Sequence, residues 1–575
     1  TLGLSFDYHD AAAALLRDGI VIAAAEEERF SRIKHDSGFP HKAVAFCLER
    51  AGITAADLDA AVYYEKTYLK LERILDSFLS MPSGVDDRLN ELVGLWTGHR
   101  KFDVLERIRE LGIPGDRIFS VPHHVSHAAS TFFCSPFDRA TVITMDGAGE
   151  FDALTLSVGE GKDIRQIHSQ SLPHSLGLLY SAFTAFLGFE VNEGEYKVMG
   201  MAGFGEPRFA DQIKTLITLL PDGGFEIDQS YFEFLCPGEV PYSPRFIQLF
   251  GAPRQPESPF DPRDPDSRHY ADMAASIQRV VEDIILHVVR IAVSRTGIAN
   301  VCIAGGVGLN SMANARILRE LKLPLYVHPA AGDAGGALGA ALSHYHSLPA
   351  ARRSPPLVDA YLGAVQSDAH IQATFDRFRP RWVTRLEDDQ ALVDQVARLL
   401  ADGAVVGWSQ GCFEWGPRAL GNRSILADPR PADMQLTVNT KIKYREPFRP
   451  FAPAVLVEHA HDFFDIPYEI GPSSPEMFML AVARVRPEKA SLIPAVTHVD
   501  GSARVQVVSE RSNPLFYRLI HRFAELTGVP VLLNTSFNLR GEAMAANAYD
   551  AMETFYWSEM DAVAIGRHLL RKVPV

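Results

Sequence analysis

The chain has 575 residues, 47% of them hydrophobic and 22% charged, and 56 Lys and Arg stand against 71 Asp and Glu for a net charge of −15. Those values describe a globular protein with room for several domains, and the negative balance argues against a general nucleic-acid binder, which needs a basic face. Five cysteines without a CxxC pair exclude a disulfide framework and a cysteine zinc site and fit a reducing cytoplasm; neither an apolar run of membrane-spanning length nor a signal-peptide pattern is seen.

The first residues read as strands. "TLGLS" is a short apolar run, and "AAAALLRDG" and "IVIAAAEEE" flank Arg17-Asp18-Gly19, where Asp-Gly is a strong hairpin signal. The unit recurs. "ATVITMDGAG" is an apolar strand ending at Asp146-Gly147, followed by a predicted hairpin around Gly159-Glu160-Gly161. A strand with a polar turn and a hairpin, met twice, suggests the two lobes of an actin-like nucleotide-binding fold. Residues 270–297 have apolar residues at helical spacing and stop at a glycine. Then "NVCIAGGVGLNSMANARIL" and "LPLYVHPAAGDAGGALGAALSHY" each read as strand, glycine turn and helix. A Pro- and Arg-rich stretch places a linker near residues 347–357, which separates a domain at 1–350 from a second α/β domain at 358–575.

Several residue groups suit chemistry. In "VPHHVSHAAS", Pro122 suits a first helical turn, and on the helix His123 and His127 share a face. His124 and His127 are the alternative pair, and either is a start for a divalent metal. The turns holding Gly305, Gly306 and Asn310, and later Asp333, let backbone N–H groups approach phosphate oxygens. Asp333 is either a metal ligand or a helix cap. His9, after the first strand, suits a general base. In the charge cluster "AEEERFSRIKHD", Lys34 and His35 are worth noting. Between Arg418 and Arg449 there are seven Lys or Arg against three Asp or Glu, interleaved with Pro and Gly. That pattern suggests a pocket for a small phosphate compound. Arg504, Asn534, Ser536 and Asn538 stand at the ends of apolar strands, where α/β sites lie.

At these residues the chain resembles the NodU/CmcH family of O-carbamoyltransferases over nearly its whole length. The match rests on "HDAAAALL", "EEERFSRIKHD", "HHVSHAAS", "DGAGE", "GEYKVMGMA", "GGVGLN", "GDAGGALG", "EWGPRALGNRSILADPR", "KIKYREPFRPFAP" and "LLNTSFNLRGE". The resemblance implies an actin-like first domain with duplicated RNase H-like lobes, and a second, YrdC-like domain that makes carbamoyl-AMP from carbamoyl phosphate and ATP with Mg2+. It implies Arg418, Lys443 and Arg449 as carbamoyl-phosphate residues, with Arg423, Lys441 and Arg445 nearby. Arg504, Asn534 and Ser536 would meet ATP or the carbamoyl group, and Asp146, Gly305, Gly306 and Asn310 the nucleotide. It implies His123, His127 and Asp333 as ligands of Fe2+ or another divalent metal, and His9 as the base for an acceptor hydroxyl. The expected partner is a small-molecule hydroxyl acceptor of polyketide, sugar or aminoglycoside type, in antibiotic biosynthesis, with no nucleic acid and no membrane; a homodimer is left open. Residues 66–120 and 225–270 match no motif. They are expected to shape the acceptor pocket, the second through Tyr231, Phe232, Phe234, Tyr242, Phe246 and Phe250. The alternatives are a tRNA threonylcarbamoyl-type transferase, a hydrogenase-maturation enzyme and a non-enzymatic ATP-switched protein.

Overall fold

The computed structural model describes residues 1–79, 85–98, 100–234, 240–261 and 263–573. Cys236 lies outside them, as does part of each motif-less segment. The chain forms two compact units. The first holds Thr1–Ile22 and Ser37–Pro356, the second Ala23–Asp36 and Leu357–Val575.

The first unit is built on two five-stranded sheets, and the edge strand of one runs on past Ile22 into residues of the second unit. In space one runs Ile20–Glu26, Ala12–Arg17, Leu2–Ser5, Ala61–Tyr63, Ile118–Ser120. The other runs Leu325–Val327, Val301–Ala304, Arg139–Met145, Asp152–Glu160, Asp163–Ser171. Numbered within each lobe, both orders are 3-2-1-4-5. In both, the first strand is antiparallel to the second and parallel to the fourth. This is the duplicated, RNase H-like topology of actin-like folds, and the chain is α/β as expected.

Local chemistry explains the turns. Asp18 and Gly19 both have positive φ, 52° and 81°, the backbone that a two-residue type I′ hairpin requires. The second hairpin turns at Gly161, φ 58°, so Gly159 lies inside its strand. A Cβ there would come within 2.6 Å of the Phe132 ring, so the glycine serves packing and not the turn. The helix expected at 270–297 starts earlier, at Pro265, and ends at Thr296. Asp264 caps it through Ser267 N–H at 3.1 Å, and Gly297 closes it in the left-handed region.

The second unit is built on an eight-stranded mixed sheet. Its spatial order is Val383–Arg385, His568–Arg571, Ala562–Ile565, Val406–Ser409, Arg423–Ala427, Val531–Ser536, Ala452–Leu456, Gln506–Val508. The inner strands are buried on both faces, which is why they read as continuous apolar runs.

Along the main chain the two units divide between Pro356 and Leu357. Residues 23–36, placed by the sequence reading in the first domain, belong to the second unit. The reason is in their contacts. Glu26 accepts the Gly416 N–H at 2.8 Å, Arg29 Nη2 donates to Gly416 O at 2.7 Å, and Arg32 Nη1 donates to Met544 O at 2.8 Å.

Of the six aromatics named in 225–270, Phe232, Tyr242, Phe246 and Phe250 are core, and Tyr231 and Phe234 are half-buried. Phe246 stacks or crosses with Phe183, Phe186, Phe232, Tyr242 and Phe250 at 4.7–5.7 Å, and all of these rings are buried. For Phe232, Tyr242, Phe246 and Phe250 the hint of an apolar acceptor pocket is corrected: they fill the interior against one another.

Candidate functional sites

In the first unit, the helix His123–Cys134 begins straight after Pro122 and stops before Ser135-Pro136, as its sequence predicts. It is buried along nearly its whole length. The helix Asp333–Ser347 packs against it closely, since a Cβ on Gly339 would stand 1.8 Å from Ser126 O. Only glycine permits that approach. It brings the two imidazoles to the start of the second helix.

Four side chains converge there. His123 Nε2 and His127 Nε2 are 3.0 Å apart, and each is 3.0 Å from Asp146 Oδ2. Asp333 Oδ1 stands 3.8 Å from the first and 3.6 Å from the second. Asp333 opens its helix, but its side chain makes no cap, so the capping alternative is not the one the fold uses. Tyr64 OH donates to Asp333 Oδ2 at 3.4 Å. Asp146, read from the sequence as a nucleotide residue, sits in this quartet instead, at the end of the central strand of its lobe.

The choice between histidine pairs is settled by hydrogen bonding. His124 Nδ1 faces Thr144 Oγ1 at 2.6 Å, and its Nε2 donates to Asp152 O at 2.8 Å. Both of its nitrogens are engaged. Burial, with the charge of His123 and His127, pushes its pKa down to about 3. His127 is the opposite case. Burial disfavours its charge, but Asp146 and Asp333 outweigh this and raise it to about 9. The same pairing holds the Asp146 carboxyl well below its usual range despite burial. One buried and one half-buried carboxylate facing two buried imidazoles form a donor set suited to a divalent first-row metal, with Nε2 as the nitrogen donor.

His9 is partly exposed and pairs through Nδ1 with Asp10 Oδ2 at 2.9 Å. Burial opposes its charge, yet Asp10 first and then Asp333 and Asp146 raise it to about 9. The loop is set by Asp7, which has a left-handed backbone and whose two carboxylate oxygens both accept from Arg107 Nη1 at 2.8 Å.

The glycine turns are tight rather than open. Gly305 has φ 91°, and a Cβ on it would meet Met145 O at 2.1 Å; the Gly306 N–H donates to Asp146 Oδ1 at 3.1 Å. Asn310 is corrected as a nucleotide ligand. Its Oδ1 accepts from Ala313 N at 3.1 Å and Gln278 Nε2 at 3.0 Å, and its Nδ2 donates back to Gln278 Oε1 at 3.3 Å. It caps a helix and ties it to another.

In the second unit, the strand register places the basic residues. Ser409 pairs with Arg423, Ser424 with Ser536, and Ala452 with Asn534, and Gln506 starts its strand beside Ala454. One end of the sheet therefore carries the loop that holds Arg418, the segment from Lys443 to Phe451, Ser536 and the strand ending at Arg504. Glu414 shapes the first loop. It is fully buried, and its Oε1 accepts the N–H groups of Leu420, Asn422 and Arg423 at 2.8–3.1 Å.

Lys443 is buried and gathers the rest. Its Nζ donates to Ser536 O at 2.8 Å, Asn538 O at 2.7 Å and Asn538 Oδ1 at 2.5 Å. Its pKa falls well below the usual lysine value, through burial first and then Arg445, Arg449 and Lys34. Lys34 comes from the 23–36 excursion, and no local pattern groups it with Lys443. Arg445 Nε donates to Asn439 Oδ1 at 2.7 Å and covers Phe451; Arg449 stands 3.5 Å from Glu446.

Three expectations change. Arg423 is fully buried, and its five N–H groups are all taken. Nε and Nη2 donate to Ala546 O, Nη1 to Gln410 O and Asn422 O, and Nη2 also to Gly411 O. It is a structural arginine with no donor left for phosphate. Lys441 is exposed, because the helical turn of Val438–Ile442 carries it away from the face of Lys443. Asn534 is buried, and its Nδ2 is committed to Ala419 O at 3.2 Å and Gln506 Oε1 at 2.7 Å.

Both parts of the chain match known family models. Residues 1–342 match the carbamoyltransferase N-terminus and residues 397–572 the carbamoyltransferase C-terminus. The chain belongs to the carbamoyltransferase family and is an enzyme of that class. Among its relatives is an uncharacterized protein of Synechocystis sp., 42% identical and covering 99% of this chain and 96% of that one. The nodulation protein NolNO of Sinorhizobium fredii is 39% identical over 98% of this chain and 79% of its own length. The nodulation protein NolO of Bradyrhizobium diazoefficiens is 38% identical over 79% of each.

Proposed function

We propose that this carbamoyltransferase is ATP-dependent and transfers the carbamoyl group to an oxygen, the hydroxyl of a small-molecule natural product of the antibiotic type. Carbamoyl phosphate is hydrolysed to carbamate and phosphate. The carbamate oxygen attacks the α-phosphorus of ATP, and pyrophosphate leaves. The acceptor hydroxyl then attacks the carbamoyl carbon of carbamoyl-AMP, AMP leaves, and the hydroxyl proton passes to a base. The observation that carries this reading is the cation group of the second unit. Lys443 is depressed by burial and then by Arg445, Arg449 and Lys34, a charge excess that a phosphate dianion or a polyphosphate would relieve. Arg418 and Arg504, at the same sheet end, complete the pocket in this scheme, with Ser536 at its wall.

His123, His127, Asp146 and Asp333 are the proposed holders of a divalent ion, with Fe2+ the first candidate. Such an ion supplies charge neutralisation at the nucleotide phosphates and offsets the aspartates that keep His9 protonated. His9 is the proposed base for the acceptor, oriented by Asp10. Its raised pKa means that it starts protonated at neutral pH in the absence of other charge. The partner is taken to be a small molecule and not nucleic acid, in keeping with the net charge, and the cell compartment to be the cytoplasm. No described helix is long and apolar enough to cross a membrane.

The test is pyrophosphate release from ATP with and without carbamoyl phosphate, with no acceptor added. Release that requires carbamoyl phosphate, and falls at least about 100-fold in Arg449→Ala, is expected for loss of a charge-assisted phosphate contact of about 3 kcal/mol. Carbamoyl-phosphate-dependent release at the normal rate in Arg449→Ala would remove that arginine from the pocket.

A further inference from the structure

Glu150 ends the "DGAGE" turn and plays no part in the scheme above. It is 7% exposed. Its Oε1 accepts the N–H of His123 at 2.9 Å and that of Lys66 at 2.6 Å, and its Oε2 accepts the His123 N–H again at 3.1 Å. The helix His123–Cys134 needs such an acceptor. Its cap position is Pro122, whose side chain cannot accept a hydrogen bond, and its first N–H groups are buried away from water. A carboxylate from 27 residues further on does what the local sequence cannot.

The same turn presses on the imidazoles. A Cβ on Gly149 would come within 2.8 Å of His124 Cδ2 and 3.3 Å of His123 Cδ2. Asp146, at the other end of the turn, is itself one of the converging carboxylates. Lys66 adds a second tie. Its Nζ donates to Ser120 O and, at 3.1 Å, to Ser120 Oγ, just ahead of the helix. Two residues before Lys66, Tyr64 reaches Asp333. One buried carboxylate thus fastens together the backbone segments that carry His123, Asp146 and the partner of Asp333.

We infer that Glu150 is a positioning residue of the His123–His127–Asp146–Asp333 site, setting the imidazole of His123 through the first turn of its helix. The inference rests on the metal reading of that quartet. Groups behind the ligands of a metal site cost about 10- to 100-fold in affinity when removed, and the same range is expected here without any change to a ligand.

The experiment uses the full-length metal-free protein and Co2+ as a spectroscopic probe. Wild type, Glu150→Ala, Glu150→Gln and a His123→Ala/His127→Ala double variant are titrated. Glu150→Ala is expected to stay folded by circular dichroism, to bind Co2+ about 10- to 100-fold more weakly and to show shifted d–d bands. Glu150→Gln keeps an acceptor oxygen for both N–H groups and is expected to fall between the two. A role confined to stability would lower the melting temperature of Glu150→Ala and leave the cobalt affinity and spectrum of its folded form unchanged, and that result overturns the inference. If Glu150→Ala does not fold, Glu150→Asp decides. It keeps the charge and shortens the reach by one methylene, and wild-type cobalt binding in it overturns the proposal. Equal cobalt binding by wild type and the double histidine variant would defeat the metal reading itself, a result separable from the failure of Glu150 alone.

Discussion

Replacing Arg423 by Met separates two roles for the same residue. The side chains are similar in length, so packing is roughly kept while the charge and five donors are lost. The buried carbonyls of Gln410 and Ala546 lose the donor that Arg423 gives them, while Gly411 is exposed to water and Asn422 O keeps the Gln410 N–H at 2.9 Å. Each buried acceptor left without a partner costs about 1–3 kcal/mol. Glu414 also loses its buried counter-charge. Loss of one partner from a buried charged network typically costs about 3–5 kcal/mol, a large share of the roughly 5–15 kcal/mol that holds a folded domain. Urea unfolding followed by tryptophan emission suits the question, because Trp382, Trp408, Trp415 and Trp557 lie in the second unit and only Trp96 in the first. With an m-value of about 2–3 kcal/mol/M, the midpoint of the second unit should drop by about 1–2 M. A variant as stable as wild type, with a raised KM for carbamoyl phosphate alone, would refute the structural assignment and return Arg423 to the phosphate pocket.

Two further outcomes are expected. Glu26 is pushed up to about 7 by burial, which Arg29 offsets only in part. Its native form therefore keeps a proton that the unfolded chain releases near pH 4.5, so stability falls between about pH 4.5 and 7 and is level above that. Glu26→Gln should remove that component, worth on the order of 3 kcal/mol, which paired denaturation curves at pH 5 and pH 8 would show; an identical pH dependence in both proteins would contradict it. Gly339→Ala should part the helices that carry the histidines and Asp333, since its Cβ would fall 1.8 Å from Ser126 O. Overpacking of this kind costs about 1–3 kcal/mol or more, and both the melting temperature and cobalt binding should drop; unchanged cobalt binding would mean that the quartet does not depend on that helix contact.

Much of this architecture is legible from short-range chemistry. Asp18-Gly19 announces its hairpin because only a few residues accept two positive φ values in succession. Pro122 and Ser135-Pro136 bracket the histidine helix for equally local reasons. What is not legible depends on long-range closure. Asp146 stands at a strand-to-strand turn and Asp333 at a strand-to-helix junction, and nothing in either neighbourhood says that one would join the histidines beside the other. Arg423 and Arg418 share one motif and look alike in it, yet burial against four backbone carbonyls gives the first a different task. Asn310 has the composition of a nucleotide turn and is used as a cap. The aromatic set around Phe246 reads equally well as pocket or core, and mutual packing distinguishes them only in three dimensions. Pro122 was itself a signal that could have been followed further, because a proline at the cap position of a buried helix demands an acceptor from elsewhere.

The placement of residues 23–36 has a consequence for synthesis and for heredity. During translation these residues emerge early, while the loops at Gly416 and Met544 that they bond to do not yet exist. Glu26 accepts the N–H of Gly416 and Arg29 donates to its C=O, so the second unit takes its full set of contacts only when residues 23–36 and 357–575 are in the same molecule. A fragment starting at Leu357 lacks that clamp. Nor can the second unit be moved between genes as one uninterrupted cassette, because a piece of it is written inside the coding sequence of the first.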